Sequence, residues 1–133
     1  MTMRIMKKTL VTIFALSAAF VALPRAAQAH HGWADFDSTT EVSIKGTVID
    51  FHFVNPHCVV ELEVMDEKGV ARKWQGEFAS PAELARYRWT AASLEAGDRI
   101  TVTGHAAKNG SPAIHVLGIR LANGQELKLY NGR

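Results

Sequence analysis

The chain has one cysteine in 133 residues, Cys58, so no internal disulfide can form and packing must hold the fold together. Its longest apolar segment, "TLVTIFALSAAFVAL" at residues 9–23, falls short of the about 20 residues a membrane-spanning helix requires. No serine sits in a G-x-S-x-G elbow, and there is neither a Gly-rich phosphate loop nor an H-E-x-x-H helix. The motifs of serine hydrolysis, nucleotide hydrolysis and zinc proteolysis are therefore missing. Charge of one sign is also scarce: 15 Lys and Arg stand against 13 Asp and Glu. No basic stripe marks a nucleic-acid surface, which would need clustered cations to displace phosphate counterions.

What is present begins with a leader. Arg4, Lys7 and Lys8 precede the apolar segment, and Ala27-Gln28-Ala29 has the A-x-A form of a signal-peptidase site. The pattern predicts cleavage after Ala29 and a periplasmic or secreted protein starting at His30, with no membrane anchor left. Four of the 15 basic residues (Arg4, Lys7, Lys8 and Arg25) belong to the leader, which leaves 11 against 13 acidic and reverses the net charge to −2. All six histidines fall after the cut. The predicted organisation is a signal peptide over 1–29, an extended arm over 30–40 and one small domain over 41–133, enough for a single modest core.

That domain reads as strands. "EVSIKGTVIDFHFV" (41–54) is β-branched and aromatic, but its apolar parity slips between Val48 and Ile49, which predicts a bulge. "HCVVELEVM" (57–65) alternates with Cys58, Val60, Leu62 and Val64 on one face, and "VARKWQGEF" (70–78) supplies a third strand. Ser80, Pro81 and Glu83 form a capping-box start for a helix through "PAELARYRW", with Leu84, Ala85 and Trp89 facing inward. "RITVTGHA" (99–106) and "AIHVLGIRLA" (113–122) come next, and Asn123-Gly124 predicts a hairpin into "QELKLY" (125–130). A bent first strand and a helix between strands three and four predict a mainly β, OB-like barrel of five to six strands; the alternative is another small barrel or a sandwich.

The histidines are the strongest chemical signal. Cleavage would free the α-amine of His30, which with its own ring Nδ1 closes a compact chelate. Nitrogen donors favour Cu(II), at the top of the divalent affinity order. Further imidazoles can come from His31, from His52 and His57 flanking the "FVNP" turn, or from His105. His115 shares parity with Leu117, Ile119 and Leu121 and is expected to be semi-buried and structural, and Cys58 is expected to be a small buried apolar residue. Trp33 and Phe36 are expected to dock the arm, with Asp35 and Asp37 solvated. The competing expectation is an adaptor module, binding a small molecule or another envelope protein, in which the histidines are incidental.

"AHHGWADFD" (29–37), "GTVIDFHFVNPH" (46–57), Trp74, "SPAELARYRWTAASLEAGD" (80–98) and "VTGHAAKNGSP" (102–112) together resemble family 6152 of domains of unknown function, a group of small exported bacterial proteins. The resemblance covers essentially all of the mature chain and implies export and these domain limits. It marks His30, His31, Asn55, Pro56 and His57 as motif positions but implies no activity. Similar sequences carry glycine before the tryptophan of the helical segment, where this chain has Arg88.

Overall fold

The computed structural model of the protein describes residues 32–129. The predicted leader, His30, His31 and Tyr130 lie outside the described residues. A 3₁₀ turn (Gly32–Asp35) is followed by β1 (Val42–His52), β2 (Val59–Met65), β3 (Ala71–Glu77), α1 (Pro81–Ala85), β4 (Arg99–Ala106), β5 (Ala113–Leu121) and β6 (Glu126–Leu127). The strands run in the order β3-β2-β1-β4-β5-β6, and a parallel pairing of β3 with β5 closes the first five into a barrel. This is the expected OB-like architecture.

The phase slip in the first strand is a bulge. Thr47 and Val48 pair with Glu63 and Leu62, and Asp50 then pairs with Glu61, which leaves Ile49 as the extra residue. Val48 and Phe51 consequently both point inward, while Ile49 turns out to solvent. Gly46 makes the bend possible, since a Cβ there would press on the Glu63 carbonyl at 2.9 Å. Leu62, Val60, Phe78, Val102, Ile114 and Val116 fill the barrel with no side-chain exposure above 0 %. Cys58 joins them, and burial pushes its thiol up to about 11. It should therefore resist thiol-specific alkylation in the native state at pH 8 and react on unfolding; rapid labelling of folded protein would contradict this packing.

The helix is shorter than its sequence pattern predicts. Ser80 caps Glu83 and Glu83 returns the bond to Ser80, as the capping box requires, but α1 ends at Ala85. Arg88 adopts φ 67°, Trp89 N–H donates to the Leu84 carbonyl, and Arg88 N–H donates to that of Ala85. This is a Schellman-type stop with Arg88 in the left-handed position, where glycine is the unstrained residue. Trp89 thereby swings into the core and donates its indole N–H to the Lys128 carbonyl at 2.9 Å. Arg88→Gly should raise stability by about 0.5–1 kcal/mol, the left-handed strain relieved less the added unfolded-state entropy. A lower melting temperature in the variant would refute this account. The last strand is also shorter than expected, two residues in place of six, although Leu129 beyond it is buried beside the Trp89 clasp.

Candidate functional site

The arm is not extended. Gly32 starts the 3₁₀ turn at φ 56°, and Asp37 closes the segment by accepting from the Thr39 N–H and hydroxyl. Those bonds hold the Asp37 carboxyl below its usual range. Phe36 is buried and bridges to Ala107, and Asp37 N–H donates to the Ala106 carbonyl at 2.9 Å. Lys108 ties down the C-terminal end of the turn. Its N–H donates to the Asp35 carbonyl at 2.9 Å and its Nζ to the Ala34 carbonyl at 2.7 Å. Together these contacts seat the arm where β4 leaves the barrel.

This seating delivers the Trp33 indole onto two imidazoles. The ring of His115 lies 3.6 Å from it at 14°, and that of His57 lies 4.9 Å away at 17°. Phe36 completes the cluster from the arm side, 5.9 Å from His115. His57 follows the cis Asn55–Pro56 bond and also lies close enough to α1 to assist Ser80 and Arg86 in holding the Glu83 carboxyl low. Among the described residues the His57 ring is held by its stack on Trp33 and not by a hydrogen bond to the turn backbone.

His115 is half-buried, as anticipated, but for a different reason. Leu117 is a second bulge residue, between the pairs Thr103–Gly118 and Gly104–Val116, so the parity of β5 reverses there. Ile114 and Val116 point into the core and His115 points outward, where Trp33 covers it. Burial lowers its pKa to about 4, with the nearby His105 and His57 adding to the effect, so it is neutral at pH 7.

His52 keeps other company. Its Nε2 lies 3.6 Å from Asp50 Oδ2 and 3.7 Å from Glu61 Oε1, and Glu61 also receives Lys73 at 2.6 Å. His52 is thus tied into a charged network on the outside of β1 and β2, and among the described residues no contact joins it to His57. His105, directly opposite His115, belongs with the Trp33 cluster instead. That pairing was hidden from sequence reading because the Leu117 bulge misdirects the parity. Among the described residues, no group of three or more His, Cys, Asp or Glu side chains is disposed to hold a metal, and no helix is long and apolar enough to cross a membrane.

Fold and cluster together define a small closed β-barrel whose N-terminal strap is clasped through a tryptophan–histidine stack. The chain belongs to the family of unknown function DUF6152, whose model matches residues 18–115 and so includes the strap and both stacked histidines. No curated protein matches it. Among solved structures it is similar to TiaS in a complex with a tRNA and ATP, at 17% identity and a TM-score of 0.47, over 70% of this chain and 20% of that one. A ZRD-deleted TiaS mutant in complex with agmatine gives 20% identity and a TM-score of 0.42, over 71% of this chain and 25% of that one. The chain spans a quarter or less of those proteins, and similarity of this degree carries nothing about ligand or partner.

Proposed function

We propose that the protein is an exported, non-enzymatic metal-binding protein that sequesters or delivers Cu(II) through the mature N-terminal His30, by its amine and ring nitrogens. His57 is the first partner ligand and His31 the next. The observation that carries this reading is the docking of Trp33 against His57. Consecutive Cα atoms are about 3.8 Å apart, so covalent geometry alone keeps His30 within about 11 Å of Trp33. His52, held by Asp50 and Glu61, moves to the margin of this proposal.

The test compares two chains that differ only at the terminus, the His30 chain with its amine free and the same chain acetylated there. Both are titrated with Cu(II) against a competing chelator, and the difference between them isolates the terminal amine. Acetylation converts the chelating amine to an amide, and affinity should fall about 100-fold or more. His57→Ala should cost a further part of the affinity of the free-amine chain alone. Equal, weak binding by both chains would sink the reading and favour the adaptor alternative.

A further inference from the structure

His105 and His115 stand directly opposite each other on β4 and β5. Opposed residues of antiparallel strands hold their Cβ atoms about 4.5–5.5 Å apart, on one face of the sheet. Here that face is the outer one, because Val102, Ile114 and Val116 take the inner positions on either side and are fully buried. The two rings have centroids 6.1 Å apart and planes inclined at 55°. Imidazoles that share one ion, with metal–nitrogen bonds of about 2.0–2.1 Å, bring their centroids to about 5–6 Å. The observed separation lies just above that range, on strands paired directly with each other in the barrel wall.

We infer that His105 and His115 form a cross-strand chelate for a divalent transition-metal cation, a second site that does not use the N-terminal amine. Two imidazoles supply two nitrogens and solvent completes the coordination shell. Such a donor set follows the usual affinity order, with Cu(II) bound more tightly than Zn(II). Trp33, stacked on His115, forms one wall, and its π face lies close enough to attract a cation held at the ring edge. The strap thus covers one imidazole of the pair while leaving the other side open, so metal binding here and strap docking involve the same residue.

The experiment uses the mature chain acetylated at His30, so that no terminal amine is free to chelate, titrated with Cu(II) and then Zn(II) alone in a non-coordinating buffer. Bound metal is read by competition with a chelator and by tryptophan fluorescence. One equivalent of Cu(II) should bind and quench emission, and His105→Ala or His115→Ala should each weaken binding about tenfold or more. Trp33→Phe should retain binding but lose most of the quenching, and His52→Ala should change neither. If His115→Ala fails to fold, His105→Gln, on the outward face, gives the same answer. Unchanged affinity in His105→Ala and His105→Gln overturns the site, as does a loss in His52→Ala equal to theirs. Failure here leaves the difference between the free and acetylated His30 chains intact, and failure of the terminal chelate leaves this titration untouched.

Discussion

Gly104→Ala should be among the most damaging single substitutions in this protein, costing on the order of 3 kcal/mol or more and leaving little folded barrel at 37 °C. An added Cβ at this position would overlap the His115 carbonyl oxygen and press on its carbon at 2.9 Å. Ordinary overpacking costs about 1–3 kcal/mol because side chains can repack, but a backbone carbonyl in a strand pair has no rotamer to escape into. The two strands would have to separate where the bulge at Leu117 sits and where His105 faces His115. Chemical denaturation of the variant against the parent measures the loss. A midpoint shift equivalent to less than about 1 kcal/mol would mean that the β4–β5 approach is looser than described. Gly118, on the other side of the same bulge, provides the contrast. An added Cβ there meets nothing nearer than Thr103 at 3.9 Å, so Gly118→Ala should be tolerated.

Acid should weaken the fold progressively below pH 6.5. His115 has a folded pKa of about 4 against an ordinary value of 6.5, lowered first by burial and then by His105 and His57. Above pH 6.5 the ring is neutral in both folded and unfolded chains and contributes no pH dependence. Between 6.5 and about 4 the unfolded chain takes up a proton that the folded one refuses, so stability falls as pH falls. Below about 4 both forms are protonated and the loss is complete. Solvent screening at the half-buried ring reduces the effect to roughly 1–2 kcal/mol. Facing this ring are His105 from β4, His57 from the β1–β2 connection and Trp33 from the strap, with Glu77 at the paired register on β3. Denaturation midpoints at pH 7 and pH 4.5 measure the difference. His115→Gln should flatten it, and the same slope in that variant would assign the acid sensitivity elsewhere.

Much of the barrel was legible because its signals are local. Alternation from Cys58 to Val64 settles the inward face of β2, and the parity slip between Val48 and Ile49 announces the first bulge. Ser80, Pro81 and Glu83 start the helix unaided, since each acts within one turn of chain. The stop at Arg88 was less legible, because the left-handed conformation of this arginine is imposed by its neighbour Trp89. That indole must reach the core and the Lys128 carbonyl, and the backbone bends to allow this.

The sequence alone determined that the chain carries a secretory-type leader pattern, that its histidines lie beyond it, and that period-two alternation broken by turns makes a small barrel. These features come from composition and from neighbours within a few residues. Which histidines meet was decided only by tertiary structure. The Leu117 bulge reverses parity and turns His115 outward to face His105, a consequence of how β5 registers on β4. The clasp of Lys108 and Phe36 folds the strap back so that Trp33 stacks on His115 and His57. That clasp joins residues 74 apart along the chain, as in the Lys108–Ala34 bond. Neither strand register nor so distant a contact leaves a periodicity for a sequence to display.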